Sequence, residues 1–321
     1  MTIWGKLRKA LPLSAAGLAM LALVLCPEAA ADAARAGLRL CGEVLVPSLL
    51  PFFVVSALLR AWGLPGVLGR LLEPVTARLW AMDGGGVSAF LMGVLGGYPL
   101  GAATVAQLRA DGAISRKDGE RALSFCNNSG PAFLLGAAGM GVFHSRRAGL
   151  LLYGAHVLSA VLIGMVTAPR RRLETPRERT YIAAASVAEA MPAAVRTAVD
   201  ALLSVCGFVV LFSVVTGLLD AVGYLPALAG KLSAATGLEL HAARALFTGL
   251  LEIGSGLGAM EGLAPTPQNL ALCAFLMGFG GLSVHCQTAA VLAGTDLRGK
   301  RHFFGKVLQG VLSALMVLLA A

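Results

Sequence analysis

Long apolar runs, separated by short charged or glycine-rich segments, constrain this chain more than any other feature. They cover residues 11–26, 44–62, 87–105, 122–142, 149–166, 202–222, 243–260, 270–292 and 307–321. A helix needs about 20 apolar residues to cross a bilayer, so a chain of this length accommodates roughly eight to eleven embedded segments. An open sheet would leave unpaired amides and carbonyls facing hydrocarbon, which leaves the helix as the spanning element. The fold class read from this pattern is all-α, a polytopic membrane protein with the lipid bilayer as its principal partner.

Composition closes off the soluble alternative. Hydrophobic residues make up 57% of the chain, charged residues 13%, and the mean hydropathy is +0.78, a balance that a water-soluble domain of this size cannot present to solvent. The net charge of +9 sits in short clusters between apolar runs without interleaved aromatics, as topogenic charge does, and no nucleic-acid partner is assigned. Cys26, Cys41, Cys126, Cys206, Cys273 and Cys286 form no CxxC pair and no zinc spacing, so they read as small apolar residues in the reduced state.

Residues 1–36 combine a basic start (Lys6, Arg8, Lys9) with an apolar stretch. They read as a membrane helix that doubles as a signal anchor, with its basic end in the cytoplasm. Amphipathic stretches at 66–80, 183–199 and 225–235 are expected along the interface. The segment 170–179 holds five arginines, two glutamates and a proline, and a connection at 170–182 divides the chain near its middle.

The two sides of that connection resemble each other in order. VVSALL at 54–59 pairs with VVTGLL at 214–219; Pro65, Gly69, Arg70 and Leu71 pair with Pro226, Gly230, Lys231 and Leu232; LGA at 100–102 pairs with LGA at 257–259. The offsets, 160, 161 and 157, are nearly constant, which argues for an internal duplication with halves at 37–169 and 183–321. Two related halves in one membrane domain are common in secondary transporters, where the solute binds between them near the midplane.

Four segments carry residues that a lipid-facing helix avoids. GVLGGYPLGA (93–102) places Gly96, Gly97, Tyr98 and Pro99 in an apolar run, and SFCNNSGPAFLLG (124–136) places Asn127, Asn128, Ser129 and Gly130 in another. In the second half LLEIGSGLGA (250–259) brings Glu252 and Ser255, and GFGGLSVHCQ (278–287) brings Gly280, Gly281, Ser283, His285 and Gln287. Glycine and proline break the helix, and the freed backbone groups need a polar, protein-lined cavity. These fifteen residues are the candidate solute contacts.

Glu252 is the sharpest of them, because a carboxylate near the bilayer centre costs roughly 3 kcal/mol on insertion scales. It fits three roles: carrier of a coupling proton, ligand of Na⁺, or cap of a broken helix. His285 reads first as hydrogen-bonded scaffolding and second as a proton-transfer group. No GxSxG, HExxH or Walker loop is present, so no enzymatic activity and no cofactor is assigned, and any coupling ion is a proton or Na⁺.

Together VPSLLPFF (46–53), GGYPLGA (96–102), CNNSGP (126–131), LEIGSG (251–256) and GFGGLSVHCQ (278–287) resemble the YlbJ/SpoVV sporulation membrane proteins, which carry nucleoside-recognition, or Gate, domains. The resemblance spans roughly 37–319. It implies a fold similar to concentrative nucleoside transporters, with two Gate-like halves and broken or re-entrant helices. It also implies a role in endospore formation, moving dipicolinic acid across the outer forespore membrane. A small planar dianion suits half-helix N-termini near 128–131 and 280–283, whose amides and dipoles face carboxylates favourably. The other readings are a membrane assembly protein that moves nothing, a transporter of nucleosides or another small solute, and either function carried by a homo-oligomer.

Overall fold

In a computed structural model of the protein, which describes residues 3–82, 84–169 and 186–321, every regular element is a helix. The arginine-rich connection at 170–182 lies outside these residues. Helix α1 (Ile3–Leu25) ends where Pro27, lacking a donor, opens α2 (Pro27–Arg39), and the chain bends by 103° there. Leu18, Met20, Val24 and Leu25 of α1 are exposed, as on a helix surrounded by lipid. A wide π-helical turn, Leu40–Leu45, leads into α3 (Val46–Ala61).

The remaining helices are α4 (Leu64–Leu79), α5 (Gly84–Gly96), α6 (Leu100–Ala110), α7 (Arg116–Cys126), a π-helical arm Ala132–Val142, and α8 (Arg146–Val166). Beyond the connection come α9 (Val187–Ala221), α10 (Tyr224–Thr236), α11 (Leu240–Leu251), α12 (Ile253–Gly258), α13 (Pro267–Phe279), α14 (Gly281–Leu292) and α15 (Lys300–Ala320). From α3 to α8 and again from α9 to α15 the order is the same. A helix ends, a left-handed glycine (Gly63 at φ +76°, Gly223 at φ +75°) starts a short helix, two interrupted helices follow, and a 21-residue helix closes the series.

The interruptions explain why nine apolar runs do not become nine long helices. Four described segments are long and apolar enough to span a bilayer: Arg146–Val166, Val187–Ala221, Pro267–Leu292 and Lys300–Ala320, with a fifth if Ala16–Leu25 and Pro27–Leu45 count as one bent span. Gly85–Gly96, Ala132–Val142 and Leu240–Leu251 are shorter apolar arms, cut off by the glycine, proline and asparagine of the four segments named above. The stretches at 66–80 and 225–235 become the short helices α4 and α10. That at 183–199 differs from expectation: from Val187 it is the first part of the 35-residue α9, running on through Pro192 into the next apolar run.

Small residues let the helices approach closely. On the α2–α9 contact a Cβ on Gly37 would lie 3.0 Å from the Val210 Cα, and one on Gly217 would lie 2.4 Å from the Ala33 Cβ. Such contacts do for a membrane core what apolar burial does in water, since lipid is as apolar as leucine.

Candidate functional site

Each interruption has its own local cause. Between α5 and α6, Gly97 takes a left-handed φ of +84° and the Tyr98–Pro99 peptide is cis. The arms of this hairpin fold tightly against the end of α7, because a Cβ on Gly93 would lie 1.7 Å from the Cys126 carbonyl oxygen and one on Gly101 2.0 Å from the same atom. Between α7 and the π-helical arm, Asn127 is extended (φ −94°, ψ 99°), and Pro131 precedes the arm without needing a donor. In the second half Glu252 is extended (φ −143°, ψ 119°) between α11 and α12. Gly280 and Gly281, both left-handed at +87° and +72°, join α13 to α14.

The interruptions touch through glycine backbone. A Cβ on Gly97 would sit 3.0 Å from the Gly130 amide nitrogen, and one on Gly281 would sit 2.8 Å from the Gly249 carbonyl oxygen and 3.3 Å from the Ile253 nitrogen. The halves meet where Gly280 faces the Tyr98 ring, at 3.4 Å from such a Cβ to Cζ. Tyr98 also donates its hydroxyl to the Met277 carbonyl at 3.0 Å.

Beside these contacts lies a cavity of about 40 Å³. Gly97, Tyr98, Ser129 and Gly130 line it from the first half, Glu252, Gly254, Val284 and Gln287 from the second, and Leu45, Leu49, Val205 and Val209 close one side. Six of the fifteen candidate contacts therefore border one space: Gly97, Tyr98, Ser129, Gly130, Glu252 and Gln287. Gly96 ends α5 beside Leu100, Pro99 caps α6, and Gly280 and Gly281 shape the turn. Buried Ser283 accepts a hydrogen bond from Gln287 Nε2 at 3.1 Å.

Glu252 is fully buried, and its two oxygens accept from its own helix: Oε1 from the Gly254 amide at 2.9 Å and Oε2 from the Ser255 amide at 2.5 Å. Of the three roles open to it, the geometry displays the cap. The Ser255 hydroxyl lies 3.3 Å from that of Ser213 on α9.

Asn127 and Asn128 stand behind the cavity in a buried polar network that reaches α8 and α15. Asn127 Nδ2 donates to Thr288 Oγ1 at 3.0 Å and lies 3.1 Å from His302 Nε2. Asn128 Oδ1 accepts from Gln309 Nε2 at 2.9 Å, which also reaches the His156 carbonyl at 3.1 Å. The Ser129 amide donates to His156 Nε2 at 3.0 Å, so this half-helix amide is already committed within the protein. Ser159 and Ser313 hydroxyls meet at 2.8 Å.

Lys306 completes the network. It is fully buried on α15, donates to the Asn127 carbonyl at 2.6 Å and to Gln309 Oε1, and holds its Nζ 5.0 Å from the centroid of the Tyr98 ring. Sequence reasoning missed Lys306, His302, Gln309, Ser313 and His156. On α15 the spacing 302, 306, 309, 313 places four polar residues on one face of an otherwise apolar helix, and that stripe was the available signal.

His285 lies apart from the central cavity. Its Nδ1 is 3.3 Å from His302 Nδ1, and with Thr288, Leu297 and Phe303 it borders a larger concavity of about 260 Å³ between α14 and α15. That space is bordered by exposed Ala289, Ala293 and Phe303 and by none of the four interruptions except through His285, so the smaller central cavity is the candidate site. Among the described residues no three His, Cys, Asp or Glu side chains cluster as a bound metal would require.

Comparison with known proteins agrees with this architecture. The Gate family model, described as nucleoside recognition, matches residues 43–199, which takes in both interruptions of the first half. The sporulation integral membrane protein YlbJ of Bacillus subtilis (strain 168) is 35% identical over an aligned stretch of 321 residues, covering 91% of this chain and 78% of that protein. No solved structure matches the chain. With all-helical architecture, membrane-spanning segments and identity along nearly its whole length, the chain is an integral membrane protein and belongs to the YlbJ family of sporulation membrane proteins.

Proposed function

We propose that this protein is a transporter that carries a small anionic solute across the membrane of a sporulating cell, and that the solute is dipicolinic acid, moved across the outer forespore membrane. The observation that carries the reading is the meeting of four helix interruptions, two from each half of the chain, at one buried cavity. Backbone freed from helical pairing at membrane depth is tolerated where it lines a solute path. The recurring element order of α3–α8 and α9–α15 supports two Gate-like repeats, 37–169 and 183–321, that rock against each other around that cavity.

A space of about 40 Å³ holds a water molecule or two, less than a planar dicarboxylate needs. Transport on this reading requires the arms to part, which is the motion that alternating access uses. The gradient of a proton or Na⁺ supplies the driving force.

The nucleoside-recognition description of the matching family model favours a second solute class. Uptake of radiolabelled dipicolinate into proteoliposomes of the purified protein, with empty vesicles as the blank and nucleosides as competitors, separates the two. Saturable dipicolinate uptake unaffected by nucleosides supports the carboxylate reading. Nucleoside uptake replaces it, and absence of flux under every imposed gradient favours an assembly role.

A further inference from the structure

A lysine buried in a membrane domain is costly unless something compensates it. Lys306 is the fully buried lysine on α15, and no carboxylate lies within ion-pair distance of it among the described residues. Its partners are neutral: the Asn127 carbonyl at 2.6 Å, Gln309 Oε1, and the face of Tyr98 at 5.0 Å. Around these stand Asn128, His156 and His302, all buried. Glu252, the carboxylate that borders the central cavity, is engaged by the amides of α12.

We propose that Lys306 is the counter-charge for a carboxylate of the transported solute, with Tyr98 as the leaf between this ammonium and the central cavity. The inference rests on the carboxylate reading above and deepens it by naming the residue that recognises the anion. Tyr98 borders the cavity and carries the ammonium over its ring. One hydrogen bond, to the Met277 carbonyl, holds its hydroxyl. When the Tyr98 ring turns aside, the Lys306 ammonium faces the cavity, and a carboxylate there replaces the aromatic face with a full opposite charge, a much stronger partner in a low-dielectric site. The adjoining carboxamides of Asn128 and Gln309 hold the network in register while the lysine turns.

The test compares two probes of nearly the same shape, the dianion dipicolinate and its neutral isostere pyridine-2,6-dicarboxamide, by equilibrium binding to the purified full-length protein in detergent. Wild type is expected to favour dipicolinate. Lys306→Met is expected to weaken dipicolinate on the order of 100-fold while changing the diamide by less than about threefold, and Lys306→Arg to restore part of the preference. Methionine keeps the side-chain length and removes the buried charge, which offsets part of the cost of leaving the Asn127 carbonyl and Gln309 Oε1 without a donor, about 1–3 kcal/mol each. Should Lys306→Met nevertheless not fold, Lys306→Gln, which keeps a donor for the Asn127 carbonyl, reads the same ratio. An unchanged ratio in the variants, or equal loss of both probes, overturns the assignment of Lys306 while leaving the carboxylate reading standing. A wild type that does not bind dipicolinate overturns both.

Discussion

Gln309 on the last helix donates from Nε2 to the Asn128 side-chain oxygen at 2.9 Å, across 181 residues of chain and fully out of contact with solvent. The bond ties the second interruption of the first half to the closing helix of the second. Both side chains have further partners: Asn128 Nδ2 donates to the Phe125 carbonyl at 2.8 Å, and Gln309 Oε1 accepts from Lys306. Replacing either by leucine leaves buried polar groups without partners, at about 1–3 kcal/mol each. Because the two act in one network, Asn128→Leu, Gln309→Leu and the double variant should be non-additive by about 0.5–3 kcal/mol in a double-mutant cycle of unfolding in detergent. Additive losses would show that the two residues stabilise the fold separately.

Glu252 caps α12 with both carboxylate oxygens. Alanine leaves the Gly254 and Ser255 amides unpaired, whereas glutamine keeps one acceptor for them. Melting in detergent should therefore fall in the order wild type, Glu252→Gln, Glu252→Ala, with alanine costing about 1–2 kcal/mol. Solute uptake should fall in the same order as the break between α11 and α12 loosens. A glutamine variant that melts like wild type yet has lost its response to a proton gradient would assign Glu252 to ion coupling instead.

The breaks were legible in the sequence because glycine, proline and asparagine contradict the apolar runs around them locally. Gly97, Asn127, Glu252 and Gly280 each stand at an interruption, as their motifs foretell. Lys306 and His302 were hidden for the opposite reason. They sit beside the Arg298–Arg301 cluster, where a hydropathy reading places loop, yet α15 begins at Lys300 and carries them inward. A stripe of four polar residues reads as a feature only once the helix start is known. The convergence of His156, Asn128 and Gln309 is long-range pairing, for which no local pattern exists. Helix α9 starts ahead of its apolar run because Glu189 and Arg196 interrupt the hydropathy of 183–199 without interrupting the helix.

Gly281 and Gly223 allow a controlled test of what the fourth interruption requires. Both are left-handed, at φ +72° and +75°, so alanine costs each about 1–2 kcal/mol in backbone strain. A Cβ at Gly223 meets nothing within 4 Å, but one at Gly281 would lie 2.8 Å from the backbone oxygen of Gly249. Gly281→Ala should thus lower the melting temperature several degrees further than Gly223→Ala and reduce uptake, while Gly223→Ala keeps uptake. Equal effects would mean that the two hairpins of the second half can separate without cost.

Outside the membrane-embedded breaks, Arg109 at the end of α6 grips Asp296, in the loop between α14 and α15, through Nε at 2.9 Å and an Nη at 2.8 Å. This guanidinium holds the Asp296 carboxyl below its ordinary value of 3.8. A carboxyl whose pKa is lower folded than unfolded adds its stabilisation in full above the unfolded value, and loses it as pH falls through the folded one. The stabilising effect of the pair is therefore present at neutral pH and vanishes once the medium is acidified well below 3.8. Wild type should melt slightly above Asp296→Asn at pH 7, with the gap narrowing in high salt, since the pair is solvent-exposed and screened. As the pH falls below 3.8 and through the lowered folded value the gap should shrink, because protonation leaves the aspartate as uncharged as the asparagine that replaces it. A gap that does not shrink on acidification would mean that the loop is held by the shape of the Asp296 side chain and not by its charge.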